Sequence, residues 1–241
     1  MLKQVYSLKA LFPESYTPDI FSGKIKALAL AYGFKYPFCR FFVQDGKEGG
    51  GAIADYYGEG VLFASENYSG GEELVPFLKA SGMKSVIMSA NTCEKAGLQS
   101  AATKSLIMAY CGEKEREKPG DLRADLPYER VFDILKDGFP LDFDSWYPDV
   151  CHFVRHGISK VFAIEGKATA TVMFSLDGVS LISYVASAEN ERGKGYALAL
   201  VSYIAAKEQK RGFTPYVICK NELSGFYEKA GFTVVGEAAT I

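Results

Sequence analysis

The sequence predicts an α+β fold in which short strands, joined by tight turns, alternate with helices. Between residues 160 and 187 three strand patterns follow one another, and Glu165-Gly166-Lys167 forms a hairpin turn between the first two. The third strand pattern, Val179 to Ala186, leads through a glycine-bearing turn into a helical pattern from Tyr196 to Lys207. Strand and helix patterns also alternate in the first half of the chain.

The turn after the third strand has the composition of a phosphate-binding loop and reads Arg192-Gly193-Lys194-Gly195-Tyr196-Ala197. The first N–H groups of a helix lack intrahelical partners, and the helix dipole adds partial positive charge, so this end can hold a pyrophosphate. Gly193 and Gly195 permit backbone angles closed to other residues, while Arg192 and Lys194 add cationic donors. An ordinary strand-to-helix turn explains this segment alone equally well.

A second motif follows one more strand pattern, Thr214 to Lys220, and reads NELSGFYEKAGF from Asn221 to Phe232. Its middle part predicts a short helix. Gly231 suits the left-handed position that ends a helix, and Phe232 can begin the next strand.

The two motifs, in this order, resemble the GNAT superfamily of acyl-CoA-dependent N-acetyltransferases. The family signature is Arg or Gln, two residues, Gly, one residue, then Gly or Ala. The positions that match the signature and the family's later Asn and Tyr are Arg192, Gly195, Ala197, Asn221 and Tyr227. The resemblance covers residues 179–227 and implies, for residues 122–241, a mixed, mostly antiparallel sheet flanked by helices.

The second half also has the element order that the resemblance requires. Helical patterns cover Tyr128 to Leu135 and Phe143 to Arg155, with Asp142 or Asp144 as an N-cap. Strand patterns cover Lys160 to Ile164 and Ala168 to Phe174. The weakest element is the first strand, which residues 122–124 or the end of the first half would supply.

The chain is expected to contain two domains. Residues 113–121 carry charges, no strongly apolar side chain and the breaker Pro119-Gly120, which predicts a solvated linker. The first domain then covers residues 1–115 and the second residues 122–241.

The N-terminal α/β domain has strand patterns at 38–44, 51–64, 85–89 and 105–111, and helix patterns at 72–81 and 93–98. This order loosely parallels the second half. Where the phosphate loop would lie, residues 65–71 contain Glu66 and no matching arginine. The domain is therefore either a degenerate GNAT-like domain that has lost cofactor binding or an unrelated α+β lid.

The resemblance implies acetyl-CoA as co-substrate. Its acyl-pantetheine arm is expected along the strand edge, where the strand separates from its neighbour, and its pyrophosphate on the loop. The expected cofactor-binding residues are Val185, Ala186, Ser187, Arg192, Gly193, Lys194, Gly195, Tyr196, Ala197 and Asn221.

Tyr227 is the candidate general acid, since a phenol is protonated at neutral pH and can donate to a departing thiolate. The alternative is that Tyr227 fills the core. Asn221 contacts the cofactor arm or caps a helix. His152 and His156, the only histidines, are candidate general bases, because a neutral imidazole accepts an ammonium proton. The alternative is that one is a hydrogen-bonded structural residue and the other is solvated.

Composition excludes several classes of protein. The net charge of −2 argues against a nucleic-acid binder, which needs a basic surface. The five cysteines have no zinc-site spacing and no disulfide framework, so they are expected to be reduced thiols, and no metal is expected. No apolar run is long enough for a membrane helix, which favours a cytoplasmic protein without a membrane partner.

The sequence thus predicts an N-acetyltransferase that transfers acetyl directly from acetyl-CoA to a small-molecule or peptide amine. Asp142, Asp144 and Asp149 make the acceptor region acidic, which suits a cationic amine. The alternatives are a non-catalytic acyl-CoA sensor and a protein-interaction module whose first half occludes the acceptor groove. The protein would be a monomer, with its halves as a pseudo-dimer, or a homodimer.

Overall fold

The computed structural model describes residues 2–12, 16–44, 50–68, 71–112 and 117–241. Parts of two predicted segments, residues 69–70 of the turn at 65–71 and residues 113–116 of the linker, lie outside the described residues. The chain divides into two compact units. The first comprises Met1–Leu106 and Gly236–Ile241, and the second comprises Ile107–Val235.

The first unit is a sheet with helices. Its strands are β1 (Leu2–Gln4), β2 (Cys39–Gln44), β3 (Gly51–Tyr56), β4 (Glu59–Ala64) and β5 (Ser85–Ser89), and its helices are α1 (Leu8–Leu11), α2 (Ile20–Tyr32), α3 (Gly71–Ser81) and α4 (Ala90–Lys95). The strands lie in sequence order from β1 to β5. Neighbours are antiparallel except β4 and β5, which pair in parallel.

Two helix starts in this unit follow from capping side chains. The Asp19 carboxylate accepts the Ser22 N–H at 2.7 Å while the Ser22 hydroxyl accepts the Asp19 N–H at 2.8 Å, and this capping box begins α2. The sequence analysis did not predict β1, α1 or α2. The short helix expected from residue 93 begins at Ala90, because the Ser89 hydroxyl accepts the Thr92 N–H at 3.1 Å.

The second unit begins within β6 (Thr103–Tyr110). Its other elements are β7 (Leu122–Arg123), α5 (Tyr128–Leu135), α6 (Phe143–Arg155), β8 (Lys160–Ile164), β9 (Ala168–Leu176), β10 (Val179–Ser187), α7 (Tyr196–Lys210), β11 (Thr214–Cys219), α8 (Ser224–Ala230) and β12 (Phe232–Thr240). The strand order is β6-β11-β10-β9-β8-β7. The strands from β7 to β10 pair antiparallel, and β10 pairs in parallel with β11.

The predicted bounds of α5, α6 and β8 are confirmed. The Asp142 carboxylate caps α6 by accepting the Ser145 N–H at 3.0 Å. The weak strand expected at 122–124 is β7, which pairs with β8.

The second unit repeats the element order of the first. From β1 in the first unit and from β7 in the second, one strand and two helices precede three antiparallel strands, a helix, a strand parallel to the third, and a short helix. In both units the parallel pair is joined over only three residue pairs, Glu59–Val61 with Ser85–Ile87 and Val179–Leu181 with Thr214–Tyr216. The first unit is therefore GNAT-like in its order of elements, as one of the two sequence interpretations expected.

The compact units divide at residue 106, whereas the sequence placed the boundary between residues 115 and 122. A further difference concerns the last strand, β12, which the sequence analysis assigned wholly to the second domain. Phe232, at the start of β12, is buried in the second unit, while Ala238, Ala239 and Thr240 pair with β5 of the first unit. A long strand continues wherever its backbone finds hydrogen-bond partners, and composition does not reveal this.

One hydrophobic cluster of the second unit lies between α5, α6 and the sheet. Val131, Ile134, Leu135, Trp146, Val150, Val161, Ala163 and Ala186 form this buried cluster, and Phe139 and Tyr184 pack against it. All five cysteines are free, and Cys39, Cys93 and Cys219 are buried. Within the described residues no group of three potential metal ligands occurs. None of the described helices is both long and apolar enough to cross a membrane.

Candidate active site

The candidate site begins where β10 separates from β11. Pairing between these parallel strands stops after Leu181 and Tyr216, although β10 continues to Ser187 and β11 to Cys219. The separation expected from the sequence is therefore present. From Ile182 to Ser187, β10 has no described pairing with β11.

A β-bulge lies in the same stretch of β10. Ser183 pairs with Thr171 and Ala186 with Thr169, so two β10 residues, Tyr184 and Val185, lie opposite the single β9 residue Ala170. Tyr184 has a φ of 51°, the left-handed region that a bulky side chain rarely adopts. Such a conformation costs about 1–3 kcal/mol and persists only when the surroundings impose it. The bulge interrupts the ladder between β9 and β10 at Tyr184 and Val185.

The loop after β10 has a row of free N–H groups. Among the described residues, no backbone N–H group from Gly193 to Leu198 has a hydrogen-bond partner. Gly193 and Gly195 have φ values of 77° and 85°, and a Cβ on either would meet no heavy atom within 4 Å. Gly195 is the N-cap of α7, and no side chain caps it. Successive free N–H groups at a helix N-terminus form an anion-binding site.

Solved structures with this architecture are acetyltransferases by their descriptions. An acetyltransferase of the GNAT family from Colwellia psychrerythraea matches with a TM-score of 0.59 and 14% identity, over 100% of this chain and 98% of its own. A tandem GNAT protein from the clavulanic acid biosynthesis pathway matches over the same shares, with a TM-score of 0.57 and 9% identity. A GCN5-related N-acetyltransferase from Kribbella flavida matches at 0.57 and 14%, over 92% of this chain and 93% of its own.

The chain has the GNAT fold. No protein-family model matches the sequence, and neither does any curated protein. The likeness lies at the level of fold, since the identities are 9% to 14%. Matches that span the whole chain agree with the repeated element order of its two units.

The two GNAT-like units differ where the cofactor would bind. In the first unit β4 pairs with β3 in one unbroken register from Gly51 to Tyr56, without a bulge. Tyr68 is buried after β4 and its hydroxyl donates a hydrogen bond to the Gln44 side chain at 2.6 Å. The bulge and the exposed glycine loop thus belong to the second unit.

The two cationic side chains of the loop already have partners. Arg192 donates a hydrogen bond to the main-chain oxygen of Asp137 at 2.6 Å, and Lys194 pairs with Glu191 at 3.0 Å. The Tyr196 ring lies 4.9 Å from the Lys167 ammonium. Ala197 is buried. The sequence predicted the cationic side chains but not these partners, because the partners depend on chain folding.

Tyr227 lies on α8 and is buried, with its ring 5.8 Å from that of Phe232. Its hydroxyl has no hydrogen-bond partner among the described residues. The hydroxyl oxygen is not among the fully buried polar atoms without partners, so it is not completely enclosed. Burial, and then the charge of Cys219, raises the pKa of Tyr227 far above its usual value. Cys219 ends β11, so Tyr227 lies near the end of the separated strand.

Asn221 is exposed at the start of a short 3-10 turn, Asn221–Leu223. Its main-chain oxygen accepts the Ser224 N–H, but its side chain caps neither the turn nor α8. The capping alternative is therefore wrong, and the side chain points to no described partner.

His152 and His156 lie at the end of α6 with their ring centres 4.4 Å apart. This end of α6 leads into the start of β8, where Lys160 is level with Val172 of β9 and Ile182 of β10. The phosphate loop leaves the other end of β10, since Ser187 is level with Ala168 and Ile164. The structure therefore does not bring the histidines to the phosphate loop.

Tyr184 was missed by the sequence analysis. Its side chain contacts Phe139, with ring centres 5.5 Å apart, in the connection between α5 and α6. A tyrosine within a strand pattern gives no indication in the sequence that its backbone will be left-handed. Only the register of β9 against β10 reveals the bulge.

Proposed function

We propose that the second unit is an N-acetyltransferase that transfers an acetyl group from acetyl-CoA directly to an amine. The observation that carries the proposal is the row of free N–H groups from Gly193 to Leu198 directly after a strand that has separated from its neighbour. An anion-binding loop beside an open strand edge fits an extended acyl donor with a pyrophosphate at one end.

The proposed binding mode uses backbone groups more than side chains. The N–H groups of residues 193–198 take the pyrophosphate, and Arg192 and Lys194 add charge once they leave Asp137 and Glu191. The open edge of β10 at Val185, Ala186 and Ser187 pairs with the pantetheine amides. An N–H group at the bulge stabilises the oxyanion that forms on the thioester carbonyl.

The proposed reaction balances without a covalent enzyme intermediate. The ammonium first loses a proton to solvent, and its nitrogen lone pair then forms the C–N bond to the acyl carbon. The C–S bond breaks, and the thiolate takes a proton from Tyr227. The product nitrogen loses its second proton to solvent, and the Tyr227 phenolate takes a proton back from solvent, which regenerates the enzyme.

The raised pKa of Tyr227 affects this assignment in two ways. It keeps the phenol protonated throughout the neutral range. It also makes full proton transfer to a thiolate with a pKa of about 8.5 less favourable, since each unit of difference is about 1.4 kcal/mol. Tyr227 therefore acts as a hydrogen-bond donor to the developing thiolate, and the proton moves fully only as product forms.

A second candidate function is a non-catalytic acyl-CoA sensor. The raised pKa of Tyr227 favours it, because full proton transfer from the phenol to a thiolate is then less favourable. The sensor would use the loop and the open strand edge without a base.

Calorimetric titration of acetyl-CoA and CoA into the full chain tests the shared part of both candidates. Tight binding that Arg192→Glu weakens and Lys79→Glu does not would support the site; Lys79 is exposed in the first unit. Absence of binding would overturn both candidates. Binding without turnover of any amine would leave only the sensor.

A further inference from the structure

The connection between α5 and α6, residues 136–142, lies over the bulge of β10. The Phe139 and Tyr184 rings meet edge to face, 5.5 Å apart and inclined by 76°. A Cβ built on Gly138 would lie 3.7 Å from the Ala186 Cβ. An acyl group held along β10 at the bulge therefore has Phe139 and Tyr184 beside it.

The same connection is joined to the loop after β10. The Asp137 carboxylate accepts the Glu189 N–H at 3.2 Å, and its main-chain oxygen accepts the hydrogen bond from Arg192. The position of Phe139 is thus held from two sides, by the bulge and by the phosphate loop. A ring on a segment that is fixed in this way can orient a substrate.

The start of α6, which follows Phe139 in the sequence, also carries aromatic side chains. Phe143 stacks on Tyr147 with ring centres 5.2 Å apart and meets Phe132 edge to face at 5.1 Å. Phe139 and Phe143 are half-buried, and Tyr147 is 39% exposed. Half-buried rings on a small surface offer edges and faces to another ring.

The same surface is acidic. Residues 137–144 read DGFPLDFD, with three aspartates, two phenylalanines and no lysine or arginine. Asp142 caps α6 and Asp137 accepts the Glu189 N–H, while Asp144 makes no described hydrogen bond or ion pair. Arg192 adds one positive charge at Asp137, Lys136 pairs with Asp133 outside the segment, and the N-terminus of α6 offsets about half a charge, so the segment remains negative.

We infer that the acceptor is a primary amine that carries an aromatic ring, with the ring against Phe139 and the ammonium drawn in by the aspartates of residues 137–144. This inference rests on the proposed acetyltransferase function and names the acceptor class of that same site. A polyamine would use the carboxylates but not the rings, and an aliphatic amine would lack the ring contact.

The test measures acetylation of four amines by the full chain with acetyl-CoA: 2-phenylethylamine, tryptamine, 3-methylbutylamine and spermidine. Product amides are quantified by mass spectrometry, because the exposed Cys111 thiol would react with a thiol reagent. We expect the two aromatic amines to exceed the others about tenfold in kcat/KM, the size of one ring contact.

Three variants locate the preference. Phe139→Ala should lower kcat/KM for 2-phenylethylamine about tenfold more than it lowers kcat/KM for spermidine. Phe139→Leu retains the buried apolar volume and should remove the aromatic preference even if the alanine variant fails to fold. Tyr6→Ala, an exposed ring in the first unit, should change neither value.

The outcomes separate this inference from the proposed function. Acetylation of spermidine or 3-methylbutylamine as fast as the aromatic amines, or an unchanged preference in Phe139→Leu, overturns the acceptor class and leaves the acetyltransferase standing. Acetyl-CoA binding without acetylation of any of the four also overturns the acceptor class, and turnover of other amines then decides whether the acetyltransferase function stands.

Discussion

The Arg192 guanidinium donates a 2.6 Å hydrogen bond to the main-chain oxygen of Asp137. It thereby joins the phosphate loop to the connection that lies over the bulge of β10. An anion bound by the N–H groups of the loop competes with this oxygen for the guanidinium. In the proposed function, binding of the acyl donor is thus linked to the hydrogen bond that holds the connection between α5 and α6.

The first prediction concerns Gly195. Its φ of 85° lies in the left-handed region, where a β-branched residue is strained, so Gly195→Val should move the N–H groups of the loop. We expect at least about a tenfold loss of acetyl-CoA affinity, equal to about 1.4 kcal/mol, measured by calorimetry.

Gly212→Val is the matched control, because Gly212 has a φ of 87°, equal open space around its Cβ, and a place after α7 instead of before it. Both variants should lose similar stability, about 1–3 kcal/mol. Equal acetyl-CoA affinity in the two variants would contradict the placement of the pyrophosphate.

The second prediction concerns Tyr227. Tyr227→Phe should lower kcat about a hundredfold, at the lower end for a general acid, with acetyl-CoA affinity unchanged. The free energy of unfolding should change little, because the hydroxyl has no described hydrogen-bond partner. Tyr203→Phe, on α7, is the control. Retention of kcat in Tyr227→Phe would remove the acid role.

The third prediction concerns the pH dependence of stability. Burial raises the pKa of Tyr227 in the folded protein above the usual value of about 10. Between these two values the folded state binds more protons than the unfolded state, so stability falls as pH rises above about 10. Urea denaturation of the parent and of Tyr227→Phe at pH 8 and pH 10.5 measures this, and the variant should lose less. An equal loss in both would show that Tyr227 does not titrate differently on folding.

The fourth prediction concerns the end of β12. Ala239 is 1% exposed and packs in the core of the first unit, so Ala239→Asp buries an unpaired carboxylate. We expect a loss of about 3 kcal/mol or more in the free energy of unfolding. Faster hydrogen exchange should appear in β5, which pairs with this segment.

Val234→Asp, on the same strand but 47% exposed, should cost less than about 0.5 kcal/mol. If Ala239→Asp were as stable as Val234→Asp, the last six residues would not complete the first unit.

The fifth prediction concerns α2. Asp19→Ala removes the acceptor for the Phe21 and Ser22 N–H groups and should cost about 1 kcal/mol, measured by urea denaturation. Asp19→Asn retains an acceptor and should cost less. Equal costs would show that the capping oxygen does not stabilise α2.

Local patterns predicted the elements of the second unit well because each has a local cause. The Asp142 cap and helical spacing define α6, and hairpin turns define β8 and β9. The helix α2 was missed although its capping box, Asp19 and Ser22, stands in the sequence. Its apolar residues surround the helix on most sides, so it shows little amphipathic contrast.

The sequence by itself determined the glycine loop, the helix that follows it and the position of Tyr227 on a short helix closed by Gly231, since each depends on neighbours in the chain. Only the tertiary structure decided the rest. The strand separation after Leu181, the left-handed Tyr184, the partner of Arg192 and the return of residues 236–241 to the first unit depend on pairings between segments far apart in sequence. Such pairings are selected by backbone hydrogen bonding and packing of the whole sheet, for which no local residue pattern is specific.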